Sequence, residues 1–182
     1  MIRRLTYLGE PVLRQKCDVV TAVTEEIRAL ADDMLETMID ANGVGIAAPQ
    51  VGVPIRMAIV DVQLDDEQRG LFQVDGKEVD YAAWMPLIFI NPELQLGKEK
   101  ERGSEGCLSI PDVLAEVERS YAISAKLTML DGKEIEVKAD GLLARVLQHE
   151  IDHLNGILFI DRLSAAAKLR VRRAIKKARK DW

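Results

Sequence analysis

Histidine is almost absent: 182 residues hold two, His149 and His153, and cysteine is as scarce, with Cys17 and Cys107 alone. One pair of thiols makes no disulfide framework, and each reads by default as a small buried hydrophobe. No apolar run approaches the ~20 residues that cross a bilayer, which excludes a spanning helix. Met1-Ile2-Arg3-Arg4 is basic but has no apolar stretch behind it, so no signal peptide is read and the cytoplasm is the expected compartment. What remains is a globular balance, 48% hydrophobic and 30% charged, long enough for one domain with its own core. Charge placement is less ordinary. Net charge is −5, yet residues 164–182 carry eight Lys/Arg and one Asp (+7), leaving 17 basic and 29 acidic groups (−12) on the rest. A basic tail on an acidic body points to a partner surface.

Residues 24–41 predict an amphipathic helix, with Ile27, Leu30, Ala31, Met34, Leu35 and Met38 on one stripe, Thr24 as N-cap and Asn42-Gly43 as stop. A loop of small residues follows, Gly43 to Gly52, and then a strand over Ile55–Val62. Residues 63–84 are polar and irregular, with a surface hairpin around Asp75-Gly76 as the expectation and a flap over the substrate as the alternative. Leu87–Ile90 reads as a buried strand ended by Asn91-Pro92, and 121–138 as a hairpin turning at Asp131-Gly132. Helices follow at 142–155, N-capped by Asp140 and stopped by Gly156, and from Ser164 onward. Strands in antiparallel hairpins rather than βαβ units predict an α+β fold, antiparallel sheets packed around a central helix, with helices at both ends. Residues 1–163 form one domain in this reading, and 164–182 a basic helix of the same domain.

The central helix carries the chemistry. At 100° per residue Arg145, Gln148, Asp152 and Asn155 share a polar face, while Leu143, Val146, Leu147, Ile151 and Leu154 make a wide apolar arc. His149 and His153, four apart, can aim their rings at one point. Glu150 falls inside the apolar arc, where a lone carboxylate is costly unless a cation or a proton relay compensates it. A metal ion resolves both oddities. His149-Glu150-Ile151-Asp152-His153 is the H-E-x-x-H pattern, in which the histidines hold the ion and the glutamate serves as proton shuttle. A catalytic ion of this kind takes three protein ligands. The third donor is Cys107, in Glu105-Gly106-Cys107-Leu108-Ser109, or a carboxylate such as Glu105. A protease of the H-E-x-x-H type needs a further Glu or His downstream, and only Asp161 and Asp181 lie there.

Three segments, Gly43-Val44-Gly45-Ile46-Ala47-Ala48-Pro49-Gln50-Val51-Gly52, Glu105-Gly106-Cys107-Leu108-Ser109 and Gln148-His149-Glu150-Ile151-Asp152-His153-Leu154, resemble in order and spacing the signature motifs of peptide deformylases. That family removes the formyl group from the N-terminal formyl-methionine of new polypeptides and releases formate. The resemblance implies a hydrolase of protein biosynthesis and N-terminal processing. It implies Cys107, His149 and His153 as ligands of one divalent ion, Fe²⁺ as the usual native one, with Zn²⁺, Ni²⁺ or Co²⁺ also suited. Glu150 would act as general base and then protonate the leaving amine. Gln50, through its side-chain amide, and Leu108, through its backbone N–H, would stabilise the oxyanion. Gly43 and Gly45 let an extended peptide lie against the backbone, and Val44, Leu142 and Val146 are the candidate pocket for the methionine side chain. Two features depart from the family pattern: Gly103-Ser104 stands where a larger branched residue is expected, and the connection between Val62 and Leu87 is long.

In the last helix Val171, Ala174, Ile175, Ala178 and Trp182 form the apolar stripe, with Arg170, Arg172, Arg173, Lys176, Lys177, Arg179 and Lys180 around it. The plain reading is a solvated helix docked by its stripe. The resemblance adds ribosome attachment through RNA phosphate. No membrane contact is expected. Two other functions stand beside the deformylase: a peptidase cutting internal bonds, and a metal-stabilised module without catalysis.

Overall fold

The computed structural model describes residues 1–64 and 69–179. Helix α1 spans Glu25–Asp40, and the Thr24 side chain accepts from the Ile27 N–H as its N-cap. It ends at Asn42, whose φ of 54° is the left-handed turn that asparagine tolerates. Short strands β1 (Gly45–Ala47) and β2 (Met57–Val60) follow, then β3 (Phe72–Val74), β4 (Lys77–Glu78) and the single turn α2 (Tyr81–Trp84). The remaining strands are β5 (Leu87–Leu96), β6 (Lys100–Cys107), β7 (Ile110–Ser120), β8 (Ala122–Met129) and β9 (Glu134–Asp140), before α3 (Gly141–Leu154) and α4 (Ala165–Ala178).

Seven strands form one antiparallel sheet in the order β1-β2-β5-β8-β9-β3-β4, and β6 and β7 form a separate two-stranded sheet. In β2 every residue is buried because the sheet has a helix on each face. Ala58 and Val60 face a core shared with Leu143, Leu147, Ile151 and Leu154 of α3. Met57 and Ile59, on the other face, pack with Leu30, Met34 and Met38 of α1. Period-two alternation thus feeds two cores from one strand. A third cluster joins Val113 and Val117 of β7 to Leu158, Phe159, Leu163 and Val171. The α+β expectation holds, with α3 central. Among the described residues no helix is long and apolar enough to cross a membrane.

Several local expectations are corrected. The Gly43–Gly52 loop contains strand β1 and a 3-10 turn, Ala48–Val51, because Gly45, Ile46 and Ala47 find partners on β2. Strand β5 does not stop at Asn91-Pro92. Asn91 (φ 49°) takes the ladder through a bulge while its side-chain amide bonds the Val20 backbone, and pairing resumes at Glu93 with Lys126. The 72–78 hairpin turns at Asp75-Gly76 as read, but it extends the main sheet through β3 and β9 and buries Phe72. Residues 65–68, within the expected 63–84 hairpin, lie outside the described residues. Asp140 precedes α3, yet its carboxylate accepts from the Leu71 N–H at 2.7 Å instead of capping the helix. Ala174 of α4 is exposed; the stripe that packs inward has Val171 buried and Ala167, Ile175 and Ala178 partly buried, beside Leu163 of the preceding segment. Lys180 and Trp182 lie outside the described residues.

Candidate metal centre

The two histidines sit on α3 as the helical period requires, with ring centroids 5.0 Å apart. Cys107 closes β6, and the hairpin turn Leu108-Ser109 swings its sulfur over the helix. Sγ lies 3.3 Å from His153 Nε2, and one donor atom each from Cys107, His149 and His153 fall within 4.8 Å of one another. Donors that converge this closely match the ~2.3 Å (sulfur) and ~2.0–2.1 Å (nitrogen) bonds of a first-row ion.

The surrounding charges favour a cation there. His149 Nδ1 is 3.0 Å from Glu105 Oε2. Burial would raise the Glu105 carboxyl, but hydrogen bonds from Arg119 and His149 outweigh it and hold it at about 2. An ionised Glu105 therefore accepts from Nδ1–H and leaves the Nε2 lone pair of His149 facing Cys107. Burial opposes a charge on His149, yet its hydrogen bonds to Cys107 and Glu105 draw it well above the ordinary imidazole range. His153, beside it, is pushed well below that range by burial. Among the described residues two buried side-chain nitrogen or oxygen atoms have no hydrogen-bond partner, and both are here: His153 Nδ1 and Glu150 Oε2.

Glu150 is 3% exposed, and burial pushes its carboxyl up to about 7, with His149 pulling the other way. A carboxyl poised there can both take and return a proton near neutral pH. Its place depends on Gly45, since a Cβ on that residue would run into Glu150 Oε1. Gln50, also buried, accepts from the Ala47 N–H through Oε1 at 2.9 Å. That bond settles the amide's orientation and sends Nε2 toward Cys107 Sγ (3.5 Å) and Ser109 Oγ (3.2 Å). Leu108 fits against Gly43, whose missing Cβ would stand 2.9 Å from Leu108 Cδ1.

A cavity of about 700 Å³ opens over this group. Gly43, Val44, Gly45, Leu142 and Val146, the expected substrate contacts, all line it. Val146 is buried in its wall, whereas Val44 and Leu142 are about half exposed at its mouth.

The polar face of α3 is not a solvated one. Arg145, Gln148 and Asp152 are buried under the β6–β7 hairpin, and only Asn155 of that face is exposed. Arg145 donates to Glu105 Oε1 (2.9 Å) and to the Val117 and Glu101 carbonyls. This explains Gly103, where a branched residue was expected: a Cβ there would stand 2.9 Å from the Arg145 guanidinium carbon. Glu105, open in the sequence as an alternative ligand, instead touches His149 from behind. Its link to Arg119 was not foreseen, although strand alternation puts Glu105 on the side of Cys107.

A family model described as polypeptide deformylase matches residues 2–169. The chain belongs to this family. The curated peptide deformylase of Agrobacterium fabrum is 48% identical over 164 residues, 90% of this chain and 88% of the relative. A crystal structure of peptide deformylase from Ehrlichia chaffeensis superposes with a TM-score of 0.85 at 34% identity, covering 100% of this chain and 97% of that one. A Met-Ala-Ser-bound class I type b peptide deformylase from Acinetobacter baumannii gives 0.77 at 35% identity, covering 90% and 99%. Polypeptide deformylases are hydrolases, and the Cys107, His149 and His153 donor set of this member suits the metal that the family uses.

Proposed function

We propose that this chain hydrolyses the N-terminal formyl group of formyl-methionyl peptides, releasing formate, with one divalent ion held by Cys107, His149 and His153. The observation that carries the reading is the convergence of one sulfur and two imidazoles beside a buried, unpartnered carboxylate at the floor of a cavity. Fe²⁺ is the native ion in this reading, by the family resemblance; thiolate and imidazole suit Zn²⁺, Ni²⁺ and Co²⁺ as well. When bound, the ion lowers the pKa of water to about 7 and polarises a carbonyl oxygen. The chain's own groups do the rest. Glu150 takes the proton of the attacking water and returns it to the leaving amine nitrogen. Gln50 Nε2–H and the Leu108 backbone N–H donate to the developing oxyanion, an effect typically worth about 10²–10³ in rate per donor.

β1 is the terminal strand of the main sheet. A peptide can add to its free edge along Gly43, Val44 and Gly45, with the methionine side chain against Val44, Leu142 and Val146. The bound Met-Ala-Ser of the Acinetobacter baumannii relative, a methionine-led tripeptide, suits that placement. Residues 1–163 form the catalytic domain, working in the cytoplasm, and helix α4 belongs to the same domain.

Anaerobically purified protein is expected to hold one ion per chain and to release formate from a formyl-Met peptide, with no cutting of casein. Chelation should abolish the release and re-addition of the ion restore it. A loaded sample that yields no formate, or that cuts casein instead, overturns the proposal.

The basic helix α4 is proposed to dock on the ribosome. Its stripe is occupied by Val171 and Ile175, leaving Arg170, Arg172, Arg173, Lys176 and Lys177 exposed. Replacing these five with Gln is expected to weaken ribosome binding and flatten its dependence on salt, because each phosphate contact releases a counterion. An affinity that is unchanged, or insensitive to salt in the unaltered chain, ends the idea.

A further inference from the structure

The chain of ion pairs behind the metal centre runs further than catalysis requires. Arg119 binds Glu105 with Nε (2.6 Å) and Nη2 (2.9 Å), and its Nη1 donates to Asp152 Oδ2 at 2.6 Å. Asp152 in turn is held from the far side by Arg162, whose Nε and Nη2 reach Oδ2 and Oδ1, both at 2.5 Å. The order is His149, Glu105, Arg119, Asp152, Arg162. The Arg119, Glu105 and Asp152 side chains are 2%, 4% and 8% exposed, while that of Arg162, at 38%, is the member that reaches solvent. Arg162 ends the 3-10 turn Phe159–Arg162, three residues before α4 begins at Ala165.

We propose that Arg162 is a positioning residue of the metal centre: by sharing Asp152 with Arg119 it keeps Arg119 seated on Glu105, and so keeps His149 aimed at the ion. The claim rests on the reading that Cys107, His149 and His153 hold that ion. In low dielectric Asp152 must be neutralised, and two guanidinium groups divide the task. Without Arg162 the whole demand falls on Arg119, whose fork must also serve Glu105. Arg119 moves toward Asp152, Glu105 loses its bidentate anchor and keeps only the single contact from Arg145 to Oε1 (2.9 Å), and the carboxylate that fixes His149 Nδ1 can pivot about it. Partners behind a metal ligand typically carry about 10–100-fold in affinity. Arg162 stands two groups further back, so its effect lies at the lower end.

The same turn is pinned by a second set of contacts that provides a control. Asp161 binds Arg14 and accepts from the Leu158 N–H, and its carboxylate makes no hydrogen bond to its neighbour Arg162 or to any other member of the ion-pair chain. Arg162→Gln, Arg162→Lys and Asp161→Ala are compared with the unaltered protein, all stripped of metal and titrated with Co²⁺ against a chromophoric chelator below their melting temperatures. Arg162→Gln is expected to weaken Co²⁺ binding by about 5–10-fold and to shift the visible Co²⁺ bands, which report ligand geometry. Arg162→Lys restores the charge but not the fork, so it recovers part of the affinity. Asp161→Ala lowers melting temperature without moving affinity or spectrum.

Equal affinities for Arg162→Gln and the unaltered chain overturn the proposal. So does an Asp161→Ala loss as large as that of Arg162→Gln, which would make the effect one of a loosened turn. Formate release by the unaltered, loaded enzyme is measured alongside: if it fails while the Co²⁺ series behaves as expected, the deformylase reading falls and the positioning role stands. If the unaltered chain binds no Co²⁺, both fall.

Discussion

Glu150→Gln is expected to cut formate release by about 10²–10⁴-fold, the usual share of a positioned acid–base group, while one ion per chain stays bound. The side chain is the same size, so the cavity keeps its shape and Gly45 still has room beside it. What disappears is an oxygen able to hold a proton between water and the leaving amine. The three donor atoms of Cys107, His149 and His153 are untouched. Nor should the fold suffer: Glu150 Oε2 is buried without a partner, and replacing a buried charge by a neutral amide removes a desolvation cost. Activity and stability thus separate, as they do where a site is built against the interests of the fold. Formate release, metal analysis and thermal melting on one preparation check this. A variant keeping more than a tenth of its turnover would remove Glu150 from the proton path. One that loses its ion would make the carboxylate a ligand.

That experiment is possible from the sequence because the informative geometry is local. His149 and His153 share a helical stripe by virtue of a four-residue spacing, and Glu150 stands out because its neighbours on the wheel are Leu143, Val146 and Leu154. The helix itself follows from periodicity and its stop from Gly156, which takes the left-handed turn (φ 72°), whereas Asp140 stands at its start without capping it. The β6–β7 hairpin was not legible in the same way. Lys100–Cys107 is charged and carries Gly103 and Gly106, so strand propensity is low; pairing with β7 and burial of Val113 and Val117 override it. Donor chemistry singled out Cys107 with Glu105 as the alternative, and the family motifs chose between them; neither periodicity nor spacing placed the sulfur over the helix.

The polar face of α3 shows a second limit. A helical wheel says that Arg145, Gln148 and Asp152 point one way, and says nothing of what covers them. Here it is a hairpin that supplies Glu105, Arg119 and the Val117 carbonyl, turning a polar face into a buried set of ion pairs. Glu105 was ambiguous for a related reason. An anion two residues from a candidate ligand suits both binding the ion and orienting an imidazole, and only the 3.0 Å contact to Nδ1 separates the two.

Cys107→Ser tests that separation. The hydroxyl is nearly isosteric with the thiol but stays protonated at neutral pH and is a poor ligand for a soft or borderline ion. Ion affinity should fall by more than about 100-fold, beyond what outer partners typically cost. The loss should be visible in the melting curve. Binding to the folded state stabilises by RT ln(1 + [L]/Kd), so a 100-fold weaker site gives up about 2.7 kcal/mol at an ion concentration well above both dissociation constants. Without metal the two proteins should melt together, since Cys107 is only partly buried and packs at the edge of its cluster. In the Co²⁺ form the band arising from thiolate charge transfer should vanish with the sulfur. Glu105→Gln gives the opposing arm. It leaves the charge-transfer band in place and weakens binding only by the 10–100-fold typical of an outer partner, because the carboxylate orients His149 rather than touching the ion. Should Cys107→Ser keep its affinity and Glu105→Gln lose the ion altogether, the carboxylate is the third ligand and the sulfur a bystander.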